Sequence, residues 1–162
     1  MKPRDLFGPS AETLWERGGE AMQANRDSEA LALFESAVGK EPRNGKYLND
    51  AGRASIKLKQ WAKARAYFER VREIAPDDPW SLFGLGNCSA GEKKFDDAVR
   101  IYDQVLGMEM PMPQLTWFCM ASSFPDLGRF EDALLALDKC QEIDPGFAMA
   151  VPMRIRIVAA MQ

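Results

Sequence analysis

Few residues in this chain have types and spacings that could do chemistry. Histidine does not occur among the 162 residues, which removes the commonest general base near neutral pH, the Ser–His and Cys–His nucleophile pairs and the usual zinc ligand. No CxxC pair, GxxxxGK[ST] phosphate loop or GxGxxG turn occurs. Gly84-Leu85-Gly86 opens like a dinucleotide loop, but it lies inside a predicted helix with no strand before it. Met108, Met110 and Met112 alternate ahead of Cys119 and Met120, and soft thioethers in such a row suit Cu(I). The competing reading, that flexible methionines fill an irregular gap, is the one adopted, so no metal and no cofactor are expected. The carboxylate pairs Asp96–Asp97 and Glu131–Asp132 fall in the first turn of predicted helices, where the helix dipole favours negative charge without any acid–base role. The chain therefore reads as a non-enzyme with no catalytic residue.

The elements that must position these residues come from a repeat. Ala30, Ala64, Ala98 and Ala133 are 34, 34 and 35 residues apart, and four residues after each stands Phe34, Phe68, Tyr102 or Leu137. A fixed period of this length marks a stack of two-helix units. With each alanine as position 20, the units run 11–44, 45–78, 79–112 and 114–147, and Pro113 is an extra residue. Position 4 reads Leu14, Leu48, Leu82 and Trp117; position 8 reads Gly18, Gly52, Gly86 and Ala121. Position 32 is Pro42, Pro76 and Pro145, while the third unit carries Met110 there and Pro111 after it. The first unit departs at Arg17, at Asp27 where the others have Trp61, Phe95 and Phe130, and at Lys40 where they have Ile74, Met108 and Ile143.

Positions 4, 7, 8 and 11 share one helix face, since 3.6 residues per turn aligns i, i+3, i+4 and i+7. Small residues at positions 8 and 20 let two helices approach closely, and the large groups at 4 and 24 fill the space around them. Proline at position 32 cannot continue the second helix and drives its predecessor out of helical geometry, which turns the chain into the next unit.

Composition bounds the class of partner. At 46% hydrophobic, the chain can bury one continuous core. A net charge of −3 is too mild for nucleic acid, which needs a basic face. No apolar run reaches the ~18 residues of a membrane span. The opening Met1-Lys2-Pro3-Arg4-Asp5 is unlike a signal peptide. Cys88, Cys119 and Cys140 are odd in number and scattered, as expected of small buried thiols in a reducing compartment. A cytoplasmic setting follows as the expectation.

The ladder over residues 11–147 resembles the tetratricopeptide repeat family. That resemblance implies an all-α, right-handed superhelical solenoid of four helix-turn-helix units, preceded by an extension over 1–10 and closed by a capping helix over 148–162. It also implies that first helices line a concave surface through positions 2, 5, 6, 9, 12 and 13. Unit one then contributes Glu12, Trp15, Gly19, Met22 and Gln23, and unit two Lys46, Asn49, Asp50, Arg53, Ile56 and Lys57. Unit three gives Trp80, Phe83, Gly84, Asn87, Ala90 and Gly91, and unit four Leu115, Phe118, Cys119, Ser122, Pro125 and Asp126.

The implied groove has a polar strip (Asn49, Arg53, Asn87, Ser122) bordered by aromatics (Trp15, Trp80, Phe83, Phe118). Amides can bond a peptide backbone, Arg53 can meet a carboxylate, and the rings accept apolar anchors. The expected partner is therefore a peptide or helix of another protein. The competing occupant is the chain itself, with Leu6 and Phe7 folded back over the groove. A family subclass grips chaperone C-terminal carboxylates through five Lys, Asn and Arg positions; here those carry Trp15, Gly19, Asp50, Trp80 and Gly84, and none matches.

The runner-up resemblance is to class II chaperones of type III secretion, carried by residues 80–88 (WSLFGLGNC) and by Phe95-Asp96-Asp97-Ala98. Pro125 should end or kink its helix around Phe124. The tail from Ala148 is unusually apolar, with only Arg154 and Arg156 to solvate it, and two expectations stand for it: a homodimer contact through the C-terminal helix, or a place in a larger assembly.

Overall fold

The structure is a computed structural model, in which residues 8–162 are described. Among the described residues it contains nine α-helices and no strand. These are α1 (Ala11–Gln23), α2 (Asp27–Lys40), α3 (Gly45–Lys57), α4 (Trp61–Ile74), α5 (Pro79–Gly91), α6 (Phe95–Leu106), α7 (Pro113–Ser123), α8 (Phe130–Ile143) and α9 (Ala150–Ala160). The fold is an all-α helical repeat. It divides into two compact units, Met1–Gly84 and Leu85–Gln162, with the boundary inside α5. Residues 1–7, with the expected cover by Leu6 and Phe7, lie outside the described residues.

In unit 1, α1 packs on α2, α2 on α3 and α3 on α4. The small residue of the ladder sets each approach. A Cβ on Gly18 would lie 2.6 Å from the Phe34 ring, and one on Gly52 would lie 2.7 Å from the Phe68 ring. Both rings are fully buried. Unit 2 repeats the device, because a Cβ on Gly86 would meet the Tyr102 ring at 2.6 Å. Where α7 packs on α8, the corresponding residues Ala121 and Leu137 are fully buried.

One turn joins the helices within each pair, and it occurs four times. The N–H groups of Arg26, Gln60, Lys94 and Arg129 donate to the carbonyls of Ala21, Ser55, Ser89 and Phe124 at 2.8, 2.9, 2.9 and 3.0 Å. The preceding residues Asn25, Lys59, Lys93 and Gly128 take φ of 55°, 57°, 61° and 70°. This is the Schellman closure, in which one left-handed residue lets the last carbonyls of a helix find donors. Only the fourth copy uses glycine, the residue that adopts this conformation without a Cβ penalty.

Between pairs the device is proline. Glu41, Ala75 and Asp144 leave the helical region at φ/ψ of −131°/77°, −138°/85° and −135°/91°. Each precedes a proline, whose ring disfavours helical geometry in the residue before it. Helix α6 has no proline at this point and ends at Leu106, two residues short of the 14 in α4 and α8. The link runs on to Met112, extended at φ −135° before Pro113 opens α7. Within it Met110 is buried and its sulfur accepts the Thr116 hydroxyl at 3.0 Å, whereas Met112 is exposed. These thioethers face different surroundings, as gap-filling side chains do.

Helix α7 stops at Ser123, and Pro125–Leu127 forms a single 3₁₀ turn with buried Phe124 beneath the Arg129 guanidinium. Helix α9 packs on α8 through Ala150, Met153 and Ile157 and leaves Val151, Ile155 and Val158 at 54, 65 and 43% exposure. On the 34-residue register these three stand where Trp117 and Ala121 of α7 and Phe124 at its C-terminal cap stand. They occupy a face that α7 turns toward its own second helix, and in α9 that face is uncovered.

The lysines in the turns carry a measurable cost. Lys59→Gly and Lys93→Gly should each raise stability by about 0.5–1 kcal/mol, the relief of a left-handed residue less the extra unfolded-state entropy of glycine. Urea denaturation reads the change. A loss at both positions would contradict the turn as described.

Candidate functional site

Residues of α1, α2 and α3 line a groove of about 610 Å³ in unit 1. Helix α1 enters it from Ser10, whose hydroxyl accepts the Thr13 N–H at 3.1 Å and caps the helix. Asn44 caps α3 in the same way, accepting from Lys46 N and Tyr47 N. Both caps set the phase in which the two helices present their side chains.

Asp50 organises the groove wall. Its Oδ2 accepts the Trp15 indole N–H at 2.7 Å, and its Oδ1 accepts from Arg53 Nη1 at 2.8 Å. One carboxylate thus ties α1 to α3 and sets the direction of an arginine whose side chain is 62% exposed. The indole also stacks on Tyr47 at 6.2 Å, with Lys46 Nζ 3.3 Å above its ring. Charge-assisted bonds of this kind are about twice as strong as neutral ones, and a cation over an indole adds to the restraint.

The floor is apolar, made by Met22, Gly19 and the edge of Phe34. On the α1 side stand Glu16 and Glu20, and on the α3 side Arg53 and Lys57. Lys57 pairs with Asp27 at 2.7 Å.

The other expected site residues have varied surroundings. Asn49 donates to Asp78 Oδ2 at 3.2 Å, an oxygen that also accepts the Ser81 N–H at the start of α5. The Asn49 Oδ1 is buried without a hydrogen-bond partner. Trp80 meets Phe83 edge-on at 6.2 Å, both half-buried. In unit 2, Asn87 Oδ1 accepts the Tyr102 hydroxyl at 2.7 Å. Phe118 lies 5.2 Å from Phe147, and Ser122 donates to the Cys119 carbonyl at 2.7 Å. The structure therefore brings Trp15 and Arg53 together on one groove. Asn49 belongs to the cap of α5, and Asn87 to a buried hydroxyl.

Two wall residues escaped the sequence reading. Glu16 falls on position 6 of its repeat, a groove position that the reading of unit one passed over, and Glu20 lies off those positions; their shared signal is a same-sign carboxylate row at i and i+4 with Glu12. Asp50 was placed on the groove face, but its role in orienting Trp15 and Arg53 depends on a contact between helices 35 residues apart in sequence.

Two of the three thiols are shifted away from the thiolate form. Burial pushes Cys119 up to about 12, with Cys140 adding to the rise and a hydrogen bond from Tyr102 opposing it. Burial likewise raises Cys140. Reactive cysteines need the opposite shift, toward thiolate at neutral pH. No helix among the described residues is long and apolar enough to cross a membrane.

The comparisons with known proteins agree with this architecture. The tetratricopeptide repeat family profile matches residues 21–79 and 59–109, more than half of the chain, and the protein belongs to that family. Among solved structures, a tetratricopeptide repeat protein from Parabacteroides merdae superposes with a TM-score of 0.85 at 17% identity, covering 96% of this chain. This chain spans 60% of that protein's length. YrrB, described as a TPR protein with an unusual peptide-binding site, matches with a TM-score of 0.71 at 25% identity over 91% of this chain and 75% of its own. MamA (MSR-1) gives 0.67 at 22% over 87% and 80%. No curated protein matches in sequence. Proteins of this family are in general non-catalytic scaffolds for other proteins.

The Asp50 bridge can be isolated by a double-mutant cycle. Asp50→Ala and Trp15→Phe should each cost about 1–2 kcal/mol in urea denaturation. The double variant should cost about 1 kcal/mol less than their sum, because both remove one hydrogen bond. Strict additivity would show that the bond contributes nothing.

Proposed function

We propose that this protein is a non-catalytic adaptor that holds a peptide or helix of a partner protein against its first helices, with the α1–α3 groove of unit 1 as a principal contact. The observation that carries this reading is the Trp15–Asp50–Arg53 arrangement. An exposed guanidinium held in direction by a carboxylate, beside an indole and over an apolar floor, is the mixture that binding sites for peptides use. Preorganised groups lose little freedom when a ligand arrives. The peptide-binding site attributed to YrrB supports the same use of the fold here.

The remaining groups extend the reading. Trp80 and Phe83 of α5 offer a half-buried ring pair for apolar contacts, and Phe118 and Ser122 offer corresponding groups on unit 2. Groove walls bearing Glu16, Glu20, Arg53 and Lys57 suit a polar-flanked segment better than the wholly apolar client of a secretion chaperone. The three cysteines form no disulfide, and Cys88 and Cys140 are buried, which accords with a reducing, cytoplasmic setting. A homodimer contact, if one forms, would use Val151, Ile155 and Val158 of α9.

Photo-crosslinking in source-cell lysate tests the adaptor reading. p-Benzoylphenylalanine installed at Gln23, an exposed residue lining the groove, should yield a discrete adduct with another protein. The same group at Arg100, a 67% exposed side chain of α6, should not. No adduct from position 23, or the same adducts from both positions, would overturn the proposal.

A further inference from the structure

The geometry points to a partner segment of mixed charge in the unit 1 groove. A bulky apolar side chain rests over Gly19, a basic residue faces Glu16 and Glu20, and an acidic residue faces Arg53. This inference rests on the adaptor reading and specifies the chemistry of the partner at that groove.

Gly19 is the first observation. Its neighbour Gly18 is required by the Phe34 ring, whereas a Cβ on Gly19 would meet nothing within 4 Å. Glycine inside a helix weakens it relative to alanine, and no packing within unit 1 accounts for this one. Glycine is also the residue that lets a ligand or a second backbone come close. Gly19 opens onto the groove beside Met22 and the Phe34 edge, and a methionine thioether adapts readily to an incoming apolar group.

The charges are the second. Glu16 and Glu20 are like charges at i and i+4, an arrangement that weakens α1. Among the described residues neither has a cation within ion-pair distance, and both line the groove. Across from them, Arg53 is tied to Asp50 through Nη1 alone, which leaves the rest of its donor fork for a carboxylate. Lys57, tied to Asp27, adds to the positive side. A uniformly basic segment would suit the glutamates and be repelled by Arg53 and Lys57, and a uniformly acidic one would meet the reverse. Opposed walls of this kind select through repulsion as much as through attraction.

Four fluorescein-labelled peptides of equal length with the same central leucine are the probes: lysines before and glutamates after it, the reverse order, all lysine, and all glutamate. Fluorescence anisotropy should show one mixed-charge order binding about fivefold to tenfold tighter than either uniform peptide. The gap should narrow as salt screens the exposed charges. Glu16→Lys/Glu20→Lys should move the preference to the all-glutamate peptide, and Arg53→Glu to the all-lysine one. A Cβ on Gly19 meets nothing within 4 Å and leucine is the better helix former, so Gly19→Leu should melt no lower than the wild type and, by occupying the groove, bind none of them. Equal affinity for all four, no binding of either mixed peptide, or undiminished binding by Gly19→Leu would overturn the inference. A partner crosslinked from position 23 alongside equal peptide affinities would overturn the charge selection and leave the adaptor reading standing.

Discussion

The ring of Phe34 lies so near the α1 backbone that a single carbon added to Gly18 would sit 2.6 Å from it, and the Gly52–Phe68 and Gly86–Tyr102 pairs repeat that approach. The rest of the structure depends on this contact. Interiors are packed as tightly as organic crystals, so a helix pair that closes around a ring has no room for an extra methyl group. The fourth pair solves the same problem with different volumes, Ala121 on one side and the smaller Leu137 on the other. With the pair distance set, the outward face of each first helix is also set, and the wall and floor of the α1–α3 groove follow from it. Gly18 and Gly19 are adjacent and serve opposite ends: one closes the core, and the other opens the surface.

Much of this was legible in the sequence because it repeats. The Ala, ring and proline positions recur at one period, so each unit corroborates the next, and the early end of α7 before Pro125 followed from the chemistry of one residue. The left-handed turn residue was hidden by its own variety. Asn25, Lys59, Lys93 and Gly128 share a backbone conformation but no side-chain type, so no residue pattern announced it. The shortened α6 shows the converse: losing proline at one position altered the helix end and the length of the link together.

The candidate site was less legible than the fold, for a physical reason. Trp15 and Arg53 stood out by residue type, but what makes them a site is Asp50, which joins α1 and α3 and uses both its oxygens to do so. Contacts between helices depend on phase and spacing, which a linear pattern reports only in outline. Asn49 and Asn87 carry contacts that residue type alone does not report. One shares the Asp78 carboxylate that caps α5, and the other accepts the Tyr102 hydroxyl. Amides placed on the groove face by register are thus partly committed to holding the fold. Glu16, at position 6 of its repeat, and Glu20, which the register passes over, both stand on the wall.

The central claim is that ring size and the absence of a Cβ are matched within each helix pair. The most direct measurement is a denaturation cycle on Gly18→Ala, Phe34→Leu and their combination, which reproduces in the first pair the Ala–Leu arrangement of the fourth. Gly18→Ala alone should cost about 1–3 kcal/mol through overpacking, although alanine is the better helix former. With Phe34→Leu in place, the same substitution should cost far less or stabilise the protein, giving a favourable coupling of about 1 kcal/mol or more. Additive losses, or a Gly18→Ala variant as stable as the wild type, would contradict the matching on which the helix pairs rest.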